Sequence, residues 1–275
     1  MKKVIVFGGS GLVGFSLVRE FKARGCLVTS VSRSTSVHFA DENILLDLTN
    51  SESLEDLPDI SVYDLVINSM AITDVKLNET RYEAAFMLHV SLSRFLANKA
   101  KKYVYISSVA VYGESFSLDS QKRIKPTSWY SKTKYFGEPN SKHLCLRINV
   151  VGLESLTTRS LLEWAYQSLL NNEFITGFED QHINPVLPEH VFKVCFKYLH
   201  GEIDCGCYDL GSDKVVSKYS LIKIIAKSLG KENLIIPGRR GLEDSYQTTS
   251  DKNQLIVELN LKEYVSRYLG QIKRA

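Results

Sequence analysis

Long apolar runs are missing from this 275-residue chain: no stretch approaches the ~20 apolar residues that a bilayer span needs. Two lysines open the amino terminus, but glycines break the apolar run behind them at once, so neither a signal peptide nor a membrane anchor is expected. Cysteine is sparse and odd in number, five residues (Cys26, Cys145, Cys195, Cys205, Cys207) without framework spacing. That excludes a disulfide scaffold and points to a reduced, cytoplasmic setting. Cys205-Gly206-Cys207 falls in a strand-like stretch with no further ligand cluster, so no metal is expected. Neither sign of charge prevails, with 34 basic and 31 acidic residues giving a net charge of +3. Gln121-Lys122-Arg123-Ile124-Lys125 is the nearest approach to a basic patch and reads as a solvated loop, so a nucleic-acid partner is not expected. Internal repeats and low-complexity tracts are absent as well.

With 44% hydrophobic residues the chain can bury a full core. Strand and helix patterns alternate through the first 150 residues. Continuous β-rich runs occur at Val4–Phe7, Leu27–Val31, Ile44–Leu46, Leu65–Asn68, Tyr103–Ile106 and Leu144–Ile148. Helical patterns cover Leu12–Arg24, Arg81–Lys101 and Tyr130–Asn140. Strands without polar alternation belong in sheets covered on both faces, and alternating β and α implies a doubly wound parallel sheet. We therefore expect an α/β fold, with a Rossmann domain for dinucleotide binding over 1–150. Residues 151–275 should form mainly a smaller substrate-binding lobe, with about 180–212 returning to the core sheet. Helices are expected there at Ser155–Asn171, Glu189–His200, Lys218–Leu229 and Lys252–Leu259, and short strands near Phe174–Ile175 and Cys207–Leu210. Loops gather at Asn184-Pro185, Leu187-Pro188 and Pro237–Gly241.

The first strand runs into Gly8-Gly9-Ser10-Gly11-Leu12-Val13-Gly14 and then an amphipathic helix, the context in which a glycine string holds a pyrophosphate. Gly8 permits the turn, Gly11 lets the backbone approach the phosphates, and Gly14 lets helix and sheet pack closely. Backbone N–H groups of Ser10 to Val13 and the helix dipole then face the anion. An NAD site usually carries an acid at the end of the second strand for the ribose hydroxyl. This chain has Ser32 and Arg33 there. Ser32 removes a repelling charge and Arg33 can pair with a 2′-phosphate, so the cofactor read from the residues is NADP, as NADPH.

Tyr130 and Lys134, at i and i+4, share one helix face. The same spacing recurs at Tyr219 and Lys223, so it singles out nothing alone. What distinguishes Tyr130 and Lys134 is the Ser107-Ser108 pair at the carboxyl end of a preceding strand, where doubly wound sheets meet ligands. A phenol of pKa about 10 is a poor acid–base group, and a nearby ammonium is expected to lower that value. A serine hydroxyl can hold the carbonyl oxygen as charge develops on it. This set reads as an oxidoreductase reducing a carbonyl, with Tyr130 as proton donor and Lys134 also binding the nicotinamide ribose.

These motifs, together with Asp47-Leu48, Asn68-Ser69-Met70-Ala71, Val109–Gly113, Gly137-Glu138 and Leu146–Gly152, make the chain resemble the extended short-chain dehydrogenase/reductases over almost its whole length. Within them it is most similar to the dTDP-4-dehydrorhamnose reductases, through Asp180–Val186, the stretch Ile67–Glu79 before a long helix, and the compact length. The resemblance selects Ser108 over Ser107 as the catalytic serine and gives Asp47 and Leu48 an adenine contact. It also places Ser69, Met70 and Ala71 beside the cofactor and Asn149 and Asn184 near the sugar nucleotide. Arg147 then supports the loop. What it implies is NADPH reduction of the C4 keto group of a nucleotide-activated deoxysugar, for cell-surface polysaccharide, by a chain that can be a homodimer. Departures are His89, where the helix generally carries asparagine, Ser69-Met70 in place of small residues, and the more epimerase-like Ser108-Val109-Ala110-Val111-Tyr112.

Two other functions remain open at this point. One is a sugar-nucleotide epimerase holding NAD, against which Ser32 speaks. The other is a non-catalytic NADP-binding regulatory subunit, against which the intact serine, tyrosine and lysine speak. A dehydratase would carry an Asp-Glu pair after the catalytic serine, and apolar residues stand there instead.

Overall fold

In the computed structural model, residues 1–113, 124–153, 160–241, 244–246 and 254–272 are described. Gln121–Arg123, the first residues of the helix expected from Ser155, and Lys252-Asn253 lie outside them. The central sheet has eight strands in the order β13-β9-β6-β5-β4-β1-β2-β3, every neighbouring pair parallel. Their ranges are β1 Lys3–Phe7, β2 Leu27–Ser32, β3 Glu42–Leu45, β4 Leu65–Asn68, β5 Tyr103–Ser108, β6 Leu144–Ile148, β9 Gly206–Ser212 and β13 Gln254–Val257. This is the expected α/β architecture.

Side-chain alternation along β1 explains the two layers of helices. Val4 and Val6 point into one core with Leu17 and Phe21 of α1 (Leu12–Ala23) and Phe192 and Leu199 of α7 (Pro188–His200). Ile5 and Phe7 point into the other, with Leu92 and Leu96 of α4 (Leu92–Lys99) and Tyr103 and Tyr105 of β5. Both faces are dry, which is why these strands are continuously apolar. Pro188 opens α7 at a position whose N–H a helix does not use.

A third core belongs to the smaller lobe. It joins α6 (Leu161–Leu170), α8 (Lys218–Leu229) and α9 (Leu261–Ile272) through Leu162, Leu169, Leu221, Ile225 and Val265. Two small sheets attend it. In one, β8 (Gln181–Ile183) lies between antiparallel β10 (Val216–Ser217) and parallel β12 (Asp244–Tyr246). In the other, β7 (Ile175–Phe178) pairs with β11 (Ile235–Gly238), so Pro237 and Gly238 are strand residues rather than loop.

Three expectations need correction. The helix expected at Lys252–Leu259 is instead strand β13 over Gln254–Val257, paired with β9. Leu255 and Val257 pack on the main core while Ile256 is exposed, the period-2 pattern of an edge strand. The helix expected over Arg81–Lys101 is present but not uniform: it runs without interruption from α3 (Tyr82–Phe86) through a π-turn over Met87–Ser91 into α4, and a short α2 (Val75–Thr80) precedes it. Asp74 caps α2 by accepting the Leu77 N–H. Last, α5 covers Trp129–Phe136 rather than running to Asn140, because Gly137 closes its final turn and Pro139 cannot extend it.

Candidate active site

The glycine turn sits between β1 and α1 at the carboxyl ends of the strands. Gly8 has φ +84, and a Cβ there would lie 3.0 Å from both Met70 N and Ser69 Oγ. A Cβ on Gly14 would fall 2.0 Å from Gly8 O, so only glycine lets the helix start this close to the turn. Gly9, which the sequence motif leaves unassigned, is also crowded, but by a side chain: Ser30 Oγ lies 2.1 Å from its Cβ position and would have to turn aside. Gly11 caps α1 without a side-chain acceptor, so the first-turn N–H groups of Leu12 and Val13 have no intrahelical partner. Such a cradle fits a pyrophosphate.

Around it, Ser69 donates to Phe7 O at 2.8 Å, holding Ser69-Met70-Ala71 beside Gly8. Ser32 is buried, and its hydroxyl accepts the Ser10 N–H at 3.2 Å. Arg33 next to it is exposed. Asp47 is exposed and accepts the Thr49 N–H, whereas the Leu48 side chain is fully in the core.

Ser108 ends β5 and caps the short turn Val109–Tyr112 by accepting the Ala110 N–H at 3.2 Å. Its side chain lies close enough to the Tyr130 phenol to lower that group's pKa. Ser128 caps α5, which carries Tyr130 and Lys134 on one face. Burial pushes the Tyr130 phenol up, and Ser108 offsets part of that. The expectation that the lysine lowers this phenol is corrected here: burial outweighs the lowering, and Lys134 Nζ donates to Ile106 O at 2.6 Å and rests 4.4 Å from the Tyr105 ring centroid. Burial brings the Lys134 ammonium down to about 7, partly opposed by Cys145 and Glu138. Tyr219 and Lys223, the chance repeat of the spacing, lie on α8 in the small lobe.

The two serines of the pair have different partners. Ser107 donates to Glu138 Oε1 at 2.8 Å, inside a network under the site. Arg147 grips both Glu138 oxygens, at 2.8 and 2.6 Å, and donates to the Tyr112 hydroxyl at 2.7 Å. Tyr112 in turn donates to Asp209. Arg147 thus supports the turn that follows Ser108. Glu138, Cys145 and Cys207 offer ligand atoms within 4.8 Å of one another, but the guanidinium already on Glu138 opposes a cation and we assign no metal.

Asn149 follows β6 and accepts the Val186 N–H through its carbonyl at 2.9 Å, while Val151 donates to Val186 O. That bridge brings the Asn149 segment to the stretch containing buried Asn184. Sequence reasoning gave no role to Thr133 and quoted Gly137 only as a motif residue. A Cβ on Gly137 would lie 1.9 Å from His89 O, so α5 and the π-turn touch backbone to backbone there. His89 itself is wholly buried, its Nε2 accepting the Ile72 N–H and its Nδ1 2.8 Å from Thr133 Oγ1.

Among the described residues, no helix is long and apolar enough to cross a membrane. A curated relative, the probable low-salt glycan biosynthesis reductase Agl14 of Haloferax volcanii, is 24% identical over 245 residues, 84% of this chain and 81% of that protein. UDP-glucose 4-epimerase of Thermotoga maritima, solved with UDP-glucose, superposes with a TM-score of 0.80 at 18% identity, covering 98% of this chain and 99% of that one. The dTDP-4-dehydrorhamnose reductase of Bacillus anthracis, solved with NADP, gives 0.73 at 19% identity over 98% and 100%. These structures share the fold of the extended short-chain dehydrogenase/reductases. The pattern that defines the family described as RmlD substrate binding domain matches residues 1–250, and the chain belongs to that family.

Proposed function

We propose that the chain reduces the C4 keto group of a nucleotide-activated deoxysugar with NADPH, in the cytoplasm, for cell-surface glycan synthesis. The observation that carries this reading is the meeting of Ser108, at the carboxyl end of β5, with the Tyr130 phenol, whose pKa it lowers, and with Lys134 one turn along the same helix. Gly8, Ser10, Gly11, Leu12, Val13 and Gly14 would hold the pyrophosphate, and Ser32 with Arg33 the phosphorylated ribose. Asp47 and Leu48 would border the adenine, with Ser69, Met70 and Ala71 beside the dinucleotide. When bound, that cofactor supplies the hydride received by the carbonyl carbon. Tyr130 gives its phenolic proton to the carbonyl oxygen as that bond forms, so ketone and NADPH become alcohol and NADP after solvent reprotonates Tyr130. Ser108 hydrogen-bonds the same oxygen, and Asn149 and Asn184 contact the sugar nucleotide. The names of Agl14, a glycan biosynthesis reductase, and of the dehydrorhamnose reductase bound to NADP support this choice.

The epimerase reading is favoured by one feature, the Ser108–Tyr112 segment, and by the likeness to UDP-glucose 4-epimerase. NADPH consumption against a panel of 4-keto-6-deoxy sugar nucleotides, with NADH in parallel, separates the two. Reductase activity should favour NADPH by about tenfold or more, the worth of a charge-assisted pair with the 2′-phosphate. Tyr130→Phe should cut turnover by about a hundredfold or more while leaving NADPH affinity unchanged. Near-normal turnover in that variant would sink the mechanism. Conversion of a sugar nucleotide to its epimer without net NADPH loss would sink the reductase.

A further inference from the structure

We infer that His89 is a positioning residue of this site, a neutral imidazole that ties the segment leaving β4 to the helix carrying Tyr130 and Lys134. The inference rests on the reductase reading above for its kinetic consequences, but not for its geometry.

Hydrogen bonding fixes the tautomer. The Ile72 amide can only donate, so Nε2, 3.2 Å away, must present a lone pair. In a neutral ring the proton is then on Nδ1, which donates to Thr133 Oγ1 at 2.8 Å. Thr133 Oγ1 is free to donate onward to the carbonyl of Trp129 or Tyr130, at 3.0 and 3.1 Å. Every link has one donor and one acceptor, and an imidazolium would break the chain at Ile72. Burial, helped by the Lys134 ammonium, disfavours the imidazolium as well.

Both ends of this link belong to the candidate site. Ile72 directly follows Ser69-Met70-Ala71, and its carbonyl is held by Asn78 Nδ2 at 2.6 Å, so the loop is gripped through both backbone polar groups of one residue. Thr133 adjoins Lys134 and lies three residues after Tyr130. The π-turn sets the distance: it places His89 O where Tyr105 donates to it at 3.1 Å and where Gly137 passes. The ring also meets Tyr130 edge-on, centroids 5.9 Å apart. A proton relay is a poorer account, because the Nε2 lone pair is committed to a backbone amide.

Three measurements test the link. In the labelled wild-type chain, ring nitrogen shifts should report the Nδ1–H tautomer between about pH 6 and 8. His89→Leu keeps the bulk and removes both bonds. It should lower kcat about 10- to 100-fold, the cost of about 1 Å of misplacement, and weaken NADPH about fivefold through the loosened loop, leaving the sugar KM within about twofold. His89→Asn is smaller but keeps a donor toward Thr133, and should fall between the Leu variant and wild type. Packing alone predicts the opposite order, with leucine the better replacement. Should His89→Leu not fold, Thr133→Val removes the same link from the other side and should lower kcat with the sugar KM unchanged. A ring protonated on Nε2, a folded Leu variant with wild-type kcat and NADPH affinity, leucine better than asparagine, or a Thr133→Val chain with wild-type kcat would each overturn the inference. If the wild type turns over no sugar nucleotide, only the reductase reading falls, and the tautomer and the NADPH affinity order still decide the role of His89.

Discussion

Burial of Lys134 has a cost that is measurable without any substrate. Its side chain is 2% exposed, with Ile106 O as its hydrogen-bond acceptor and the Tyr105 ring against the ammonium. Burial lowers its pKa from the ordinary 10.5 to about 7. The unfolded chain therefore binds a proton between about pH 7 and 10.5 that the folded chain does not. Stability must rise with pH across that window, and the penalty is fully present below it. The gap of about 3.5 pH units is worth, at about 1.4 kcal/mol each, about 5 kcal/mol as an upper bound. Replacing the lysine by methionine keeps the apolar stem and deletes the titrating group. Urea unfolding of wild type and Lys134→Met at several pH values gives the difference in stability, in which titrations common to both chains cancel. That difference should shift in favour of the wild type by about 2 to 3 kcal/mol from pH 7 to 9. At pH 7 the methionine variant should be the more stable, despite losing the Ile106 bond, worth about 1 kcal/mol. A difference that stays flat with pH would refute the depressed lysine and the dry surroundings assigned to it.

Further outcomes follow from single contacts. Gly14→Ala pushes a methyl to 2.0 Å from Gly8 O, so the turn and α1 must separate. We expect about 1–3 kcal/mol of lost stability in urea and loss of NADPH binding by fluorescence titration. Wild-type affinity in that variant would remove the cradle from the site. Ser32→Asp keeps an acceptor for the Ser10 N–H and adds a charge facing a 2′-phosphate. It should weaken NADPH about 10- to 100-fold and leave NADH unchanged or tighter, and an unchanged preference would place the 2′-phosphate elsewhere. Glu138→Gln leaves the Arg147 guanidinium, whose side chain is 12% exposed, short of its counter-charge. The expected loss is about 3–5 kcal/mol in urea, with little change indicating that Tyr112 and Asp209 suffice.

The sheet was legible because its signal is local. Val4–Phe7, Leu65–Asn68 and Leu144–Ile148 are apolar on both faces, and Gly8–Gly14 reads as a turn from spacing alone. Gln254–Val257 was not, since its three apolar residues, Leu255 to Val257, fit a helix end or an edge strand equally, and only pairing with β9 decides. The π-turn at Met87–Ser91 has no local cause in the sequence. It exists because Tyr105 draws on His89 O and Gly137 lets α5 pass at that height, contacts made 16 and 48 positions along the chain. Tyr130, Lys134 and the Ser107-Ser108 pair were nameable from spacing and strand position, and Ser108 within the pair only from the family resemblance, but their protonation was not. The expected drop in the phenol pKa assumed an ammonium beside it, and Nζ is instead drawn to Ile106 O.

That reversal bears on the direction of the chemistry. An enzyme that first oxidises a sugar hydroxyl needs the tyrosine as phenolate, to take the hydroxyl proton. One that reduces a ketone needs it as phenol, to give a proton. With burial raising Tyr130 and the Lys134 ammonium donating to Ile106 O, the protein alone holds the phenol protonated at neutral pH. Ser108, which caps its own turn, offsets only part of that rise. Reduction can begin from this state directly, whereas oxidation has first to remove a proton that the fold retains. That state suits the reduction proposed above. Reversing the preference would take a lysine free to turn from Ile106 O toward the phenol.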